Sequence, residues 1–279
     1  MLNRIFLLLF LLCAQLSAEL KLNPLFSKGA IFQRQQQIPI WGSAAEGSKV
    51  KVSFAGHEQT TITKKDGSWM VMIPALEASE KGQTLEVKSG EEKLTVDDVL
   101  IGEVWLCSGQ SNMQFALGWL TRDARDPQDQ PLVEHIKNEI ATATDPFLRA
   151  ITVAKIVSPL DELGSFKGDW QSVSPETNKN FSATAYFFAK ELRAKLKVPV
   201  GIVVSSWGGT LVEPWVPMSQ YKTTSKLQSY YKETLDKVKV SRQNYSPEKA
   251  KEKHQEQVAA WNTKKDKANW KAAPYSRSP

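Results

Sequence analysis

The sequence predicts an α/β protein in which a small β-sandwich precedes a parallel-sheet domain and a basic helical tail. Three observations lead to this fold class. Residues 19–97 form short alternating runs between turn signals, residues 98–218 alternate apolar strands with helical segments, and residues 219–279 are polar and helical in character. These patterns are typical of two packed antiparallel sheets, a parallel sheet with crossover helices, and solvated helices. We therefore expect one domain at 19–97, a second at 98–218 and a helical insertion at 219–279.

The first 18 residues have the layout of a secretory signal peptide. Arg4 precedes the apolar run Ile5–Leu12, and small residues up to Ala18 offer a cleavage point. The run is too short for a bilayer span, which needs about 20 apolar residues, so an N-terminal membrane anchor is the weaker alternative. We expect a secreted or periplasmic protein that leaves the membrane after cleavage. Cys107 would then be the one remaining cysteine, which excludes an intramolecular disulfide.

The β-rich region contains several short runs of alternating or β-branched residues. The predicted strands are Gln37–Trp41, Lys49–Phe54, Gln59–Thr63, Trp69–Ile73, Thr84–Lys88 and Lys93–Val96. Turn signals separate them, and Asp66-Gly67 between two runs is a good mark of a hairpin. Short strands at near-regular spacing predict the β-sandwich.

From Asp98 onward the apolar runs become nearly continuous, as in strands that are buried on both faces of a parallel sheet. The predicted strands are Val99–Cys107, Phe147–Val157 and Pro199–Ser205, and the predicted helices are Gln130–Ala143 and Phe181–Leu196. Ser182 or Asn180 is placed to cap the second helix. The alternation of strands and helices implies right-handed crossovers and helices on both faces of the sheet.

The positive charge is concentrated in the tail. Residues 219–279 hold 14 Lys and Arg against 6 Asp and Glu, a net +8, so the rest of the chain carries +6 − 8 = −2. A basic tail can bind nucleic acid or an acidic surface. Here Lys alternates with Glu and Gln, as on a solvated helix, and an exported protein meets little nucleic acid. We therefore expect no nucleic-acid partner.

Two glycine-containing loops follow predicted parallel strands and should meet at the same sheet edge. The first, Gly109–Met113, exposes Ser111 at the start of a helix, where backbone N–H groups can stabilise an oxyanion. It departs from the Gly-x-Ser-x-Gly elbow because Met113 replaces the last glycine. The second, Gly208-Gly209, allows close approach of the backbone to a ligand, with Trp207 beside it. An ordinary capped turn and a packing turn are the alternatives for the two loops.

Three ordered blocks resemble the sialate O-acetylesterase family, a branch of the SGNH hydrolases. The blocks are Gly102–Met113, Phe181–Ala189, and Ser206–Thr210 with Glu213 and Trp215. The resemblance implies an incomplete SGNH-type three-layer α/β/α domain behind the β-sandwich. It also implies a serine esterase that removes acetyl groups from an acetylated glycan or sialic acid and needs no cofactor or metal. The implied roles are nucleophile for Ser111; oxyanion hole for Ser111, Gly208, Gly209 and Asn112; and substrate binding for Gln110, Trp207 and Glu213.

The family's catalytic histidine and its acidic partner lie near the C-terminal end of a longer chain. The three histidines of this sequence, His57, His135 and His254, all fall outside the resembling blocks. Serine catalysis loses orders of magnitude without its base. We therefore expect an N-terminal portion of a carbohydrate O-acetylesterase whose own activity is weak. The alternatives are a non-catalytic carbohydrate-binding protein and an inactive fragment.

Overall fold

A computed structural model describes residues 19–121, 127–158 and 163–268. The expected signal peptide lies outside the described residues. Described residues up to 156 and from 163 to 210 form one compact unit, and those at 157–158 and 211–268 belong to a second. These two units do not coincide with the boundaries expected at 97/98 and 218/219, which remain predictions.

The first unit contains eleven strands and three α-helices in its described part. The strands are β1 (Lys21–Leu22), β2 (Ile31–Gln33), β3 (Ile38–Ser43), β4 (Lys49–Phe54), β5 (His57–Ile62), β6 (Ser68–Ile73), β7 (Ser79–Ser89), β8 (Glu92–Gly109), β9 (Asp145–Thr152), β10 (Trp170–Val173) and β11 (Val200–Ser206). The helices are α1 (Ser111–Gln114), α2 (Gln130–Thr142) and α3 (Ala183–Leu196).

The strands form two sheets that share one hydrophobic core. A three-stranded sheet has the order β1-β3-β6, and the larger sheet has the order β10-β9-β11-β8-β7-β4-β5, with β2 paired to β8. Ile40 and Val71 from the first sheet and Val52 and Leu85 from the second are buried in the same cluster. Each such side chain stabilises the fold by about 1.5–3 kcal/mol relative to exposure. The mixed α/β architecture is present; the sandwich description of its N-terminal part stays a prediction.

Strand β8 connects the two halves of the larger sheet. It was expected as two strands, but it runs unbroken over 18 residues through Asp98, where φ is +60°. Its first half pairs with β7 in antiparallel fashion, and its second half pairs in parallel with β11, with Gly109 opposite Ser206. The sequence pattern changes at Asp98 because the neighbours of the strand change there, while the strand itself continues.

The parallel part of the sheet consists of β9, β11 and β8, with β11 in the middle. At its edge β10 pairs with β9 in antiparallel fashion and was not predicted, because four residues give too short a pattern. Helices α2 and α3 contribute Ile136 and Ala185 to the same buried cluster under this sheet. Both helices therefore share one core, and the three-layer arrangement with helices on both faces remains a prediction.

Helix α3 begins as the sequence predicts. Ser182 is its N-cap and accepts a hydrogen bond from Ala185 N at 3.3 Å. On the buried side of the helix, Tyr186 donates to Glu139 of α2, and Lys190 Nζ lies 2.5 Å from the same carboxylate. The two helices are thus joined by a polar contact as well as by apolar packing.

The second unit is helical in its described part. Its α-helices are α4 (Met218–Thr223), α5 (Ser225–Gln243) and α6 (Pro247–Ala268). Tyr221 of α4 is buried and stacks on Tyr230 and Tyr231 of α5. Among the helices that the structure describes, none combines the length and apolar content needed to span a membrane.

Candidate active site

Ser111 lies at the carboxyl edge of the parallel sheet, where β8 ends and α1 begins. Gly109, the last residue of β8, has a backbone φ of +153°, which residues with a Cβ atom rarely adopt. A Cβ at this position would also lie 3.3 Å from Met113 Cβ. Glycine is therefore required for the sharp turn that leaves Ser111 exposed at the first position of the helix.

The second glycine loop lies directly against this serine. Trp207 N donates to Gly109 O at 3.1 Å, which holds the two loops together beyond the last strand pair. A Cβ built on Gly208 would lie 3.2 Å from Ser111 Cα and 3.5 Å from Ser111 Cβ. Gly208 thus allows the backbone to approach the serine closely. The expected meeting of the two loops is present in the structure.

Two glutamines connect the loops through their side chains. Gln110 Nε2 donates to the carbonyl of Thr210, and Gln114 Oε1 accepts from Gly208 N. Gln110 Oε1 also accepts from Ser111 Oγ at 3.4 Å. Gln110 therefore connects the two loops in this structure, and its expected role in substrate binding stays a prediction. Gln114 was missed in the sequence, although its spacing of three from Ser111 places both on the same side of one helical turn.

The block Phe181–Ala189, which contains the start of helix α3, forms hydrogen bonds with the chain at and after the Ser111 turn. Ala183 N donates to Phe115 O at 2.8 Å, and Leu117 N donates to Phe181 O at 2.9 Å. Thr184 Oγ1 donates to Asn112 O at 3.2 Å. These bonds give a physical reason for the two blocks to occur together. The first residues of the Phe181–Ala189 block fix the position of the segment that follows Ser111.

The four residues expected in an oxyanion hole differ in availability. Ser111 N lies in the first turn of α1, where N–H groups have no acceptor within the helix. The N–H group of Gly208 already donates a hydrogen bond to Gln114 Oε1, so an oxyanion would have to replace Gln114 as the acceptor. Gly209 has a φ of +80° and an open position, since a Cβ there meets no atom within 4 Å. Asn112 is exposed beside Ser111.

In the described part of the first unit, Ser111 forms no hydrogen bond with a histidine. His57 lies in β5 and His135 in α2, while His254 lies in α6 of the second unit. The Ser111 hydroxyl donates its hydrogen bond to Gln110 Oε1. An amide oxygen accepts a hydrogen bond but does not take up a proton at neutral pH. The side chain that is hydrogen-bonded to Ser111 therefore cannot act as its general base.

The remaining expected site residues are Trp207 and Glu213. Trp207 belongs to the second glycine loop, and its ring lies under Lys155 Nζ, 5.9 Å from the ring centre. Lys155 was not singled out in the sequence. Glu213 belongs to the second unit, where its carbonyl accepts from Tyr221 and its Oε2 is buried without a hydrogen-bond partner among described residues. Its role in substrate binding stays a prediction. No cluster of potential metal ligands occurs among the described residues.

Comparison with known proteins gives a consistent result. Residues 101–260 match the family model for "carbohydrate esterase, sialic acid-specific acetylesterase". Human sialate O-acetylesterase is 29% identical over 192 residues, which cover 63% of this chain and 34% of the human protein. The mouse enzyme is 31% identical over 195 residues, which cover 63% of this chain and 33% of the relative.

A solved structure agrees with the sequence relatives. The crystal structure of a carbohydrate acetylesterase from Xanthomonas citri superposes with a TM-score of 0.63 at 34% identity, covering 74% of this chain and 44% of that protein. This chain spans about a third of the length of the curated relatives. The family match includes the serine turn, the α3 block that supports it and the second glycine loop, and the chain therefore belongs to the carbohydrate esterase family of sialic acid-specific acetylesterases.

Proposed function

We propose that this chain hydrolyses O-acetyl esters on carbohydrates with Ser111 as the nucleophile. The observation that carries the proposal is the exposed Ser111 hydroxyl at the carboxyl edge of a parallel sheet, packed against Gly208 inside the family-matched region. An acetylated glycan or sialic acid is the proposed substrate, in a secreted or periplasmic setting. The chemistry needs no cofactor, because serine ester hydrolysis proceeds by acyl transfer alone.

The reaction would proceed in two steps. Ser111 Oγ attacks the acetyl carbonyl while its proton passes to a general base, and the resulting oxyanion is held by Ser111 N–H together with N–H groups of the second loop. Collapse of this intermediate breaks the ester bond and releases the sugar hydroxyl, which takes up the proton. Water then attacks the acetyl-serine, releases acetate and restores the hydroxyl.

One observation favours a second function, carbohydrate binding without turnover. In the described part of the first unit the Ser111 hydroxyl is hydrogen-bonded to Gln110 and to no histidine, and a serine without its base is a poor nucleophile. In this alternative, the second loop and Trp207 bind an acetylated sugar, and the serine forms no acyl intermediate. The two functions share the same surface and differ in the formation of a covalent bond.

A trapping experiment separates them. The 279-residue chain is incubated with p-nitrophenyl acetate and with a 9-O-acetylated sialoside, acetate release is measured, and the protein is analysed by mass spectrometry for an acetyl group on Ser111. Ser111→Ala should remove the acetyl adduct and lower the rate of acetate release below that of the unchanged chain. Ser108→Ala is the matched control, since Ser108 is an exposed serine just before the same turn.

The outcomes are distinct. Full activity in Ser111→Ala would contradict the nucleophile assignment. Sugar binding with neither acetate release nor an acetyl adduct in the unchanged chain would support the binding function instead.

A further inference from the structure

A lysine stands beside the candidate site at the same edge of the sheet. Lys155 follows β9, which pairs in parallel with β11, and Trp207 follows the end of β11. The Nζ atom of Lys155 lies 5.9 Å from the centre of the Trp207 ring. This is within the range in which an ammonium group is attracted to the face of an indole. The contact holds a positive charge at one side of the second glycine loop.

The charge of Lys155 has no anionic partner among the described residues. The ion pairs of these residues join other lysines and arginines to carboxylates, and none includes Lys155. Lys155 is exposed to solvent, and partial desolvation by its surroundings lowers the pKa of its ammonium group. An exposed cation with no carboxylate beside it is available to attract the negative charge of a bound ligand.

One class of substrate has charged and acetylated groups that suit a cation on this loop. Trp207 directly precedes Gly208, and Gly208 packs against Ser111. Lys155 contacts Trp207, and the next residue along the chain packs against Ser111, so one sugar bound along this loop can contact both Ser111 and Lys155. Sialic acids carry hydroxyls that can be acetylated at one end and a carboxylate at the other. Neutral glycans such as xylan have no group that would use this cation.

We propose that Lys155 is a specificity-determining residue that binds the carboxylate of an acidic O-acetylated sugar while Trp207 stacks on its ring. The inference rests on the proposed function, because it takes the Ser111 loop as the place of the ester. It deepens that function by selecting acidic sugars over neutral acetylated glycans. Lys155 acts on substrate binding and takes no part in the acyl transfer.

Binding measurements test this without requiring turnover. The 279-residue chain is titrated calorimetrically with the methyl α-glycoside of N-acetylneuraminic acid and with the methyl ester of the same glycoside, which lacks the negative charge. The acid should bind about tenfold more tightly than the ester, as expected for a hydrogen bond to a charged group. This preference should shrink with added salt, because salt screens an exposed ion pair.

Variants locate the effect. Lys155→Gln should raise the Kd of the acid about tenfold and leave the Kd of the ester unchanged. Lys155→Arg should keep the preference for the acid, since it keeps the charge. Lys195→Gln is the matched control, because Lys195 is an exposed lysine in the last turn of α3, at the opposite edge of the sheet.

Three results would overturn the inference: equal affinity of the unchanged chain for acid and ester, absence of binding of either compound, or an equal loss for both in Lys155→Gln. Failure of the proposed function looks different, since it appears as absence of acetate release and of an acetyl group on Ser111. The chain can bind the acid more tightly than the ester even if it releases no acetate. It can also release acetate without any preference for the acid.

Discussion

At the scale of single residues, the site depends on side-chain contacts across the two glycine loops. Gln114 Oε1 is the acceptor for Gly208 N, and that amide is one of the expected oxyanion donors. The side chain therefore fixes the position of the second loop and also occupies the donor that an oxyanion would use. A substrate would have to take over this hydrogen bond.

The role of Gln114 leads to a prediction about the Gly208 amide. Gln114→Ala should raise the hydrogen-exchange rate of Gly208 N–H and lower the free energy of unfolding by about 1 kcal/mol, because the amide loses its acceptor. Gln114→Glu is the control, since it retains an acceptor oxygen at the same position and should keep the amide protected. Hydrogen exchange of the Gly208 amide, measured by NMR on both variants, tests this prediction. Equal protection of that amide in Gln114→Ala and in the unchanged chain would refute Gln114 as its acceptor.

The residue scale also shows what the sequence can reveal. The meeting of Ser111 with Gly208 follows from a general rule, because the carboxyl ends of neighbouring parallel strands share one edge. The partnership of Gln114 with Gly208 follows from no such rule. This contact joins two positions far apart in the chain through one rotamer of Gln114, and no periodic pattern in the sequence indicates such a contact. Lys155 was missed for the same reason, since an isolated lysine after a strand has no sequence signature.

At the scale of secondary-structure elements, α2 and α3 are joined by a carboxylate in a largely apolar contact. Burial alone would raise the pKa of Glu139, but hydrogen bonds from Lys190 and Tyr186 outweigh it and bring the pKa below its ordinary value. Burial and the same carboxylate raise the pKa of Tyr186, which stays protonated and acts as a donor. The ionised form of Glu139 therefore stabilises the folded state.

The sign of this effect predicts how stability depends on pH. A carboxyl group with a lowered pKa in the folded state contributes stability above its unfolded pKa of about 4.3, and this contribution is lost as the pH falls through the folded value. Glu139→Gln should lower the free energy of unfolding by about 1 kcal/mol at pH 7 and by less under acid conditions. Urea unfolding of the variant, of the unchanged chain and of the exposed control Glu134→Gln tests this at both pH values. An equal loss at both would exclude the ionised carboxylate as the cause.

The boundaries of the elements show where sequence patterns succeed and fail. The start of α3 could be predicted because Ser182 is a favoured capping residue directly before an apolar helical pattern. The continuity of β8 could not be predicted. Its neighbours change from antiparallel to parallel near Asp98, and the resulting change in the hydrophobic pattern looks like a boundary between two strands. Strand β10 was also missed, because its pairing with β9 is decided by tertiary contacts.

At the scale of the whole molecule, the first unit contains all members of both large hydrophobic clusters. The first cluster extends from Leu20 to Trp170 along the chain, and the second from Cys107 to Val204. Central strand β11 pairs with both β8 and β9, so the described parallel strands of this sheet all lie before residue 211. The buried apolar contacts that hold this unit together are therefore supplied by residues up to 210.

This distribution of the core predicts that a chain of residues 19–210 folds without the residues that follow. It should melt in one cooperative transition and keep the hydrogen-exchange protection of β8, β9 and β11, since no member of either cluster is removed. A chain of residues 19–199 is the matched control, because it loses β11 and exposes the facing edges of β8 and β9. That shorter chain should lose the cooperative melt and bind a hydrophobic dye. A broad melt with dye binding by the 19–210 chain itself would mean that residues after 210 are needed to stabilise the unit.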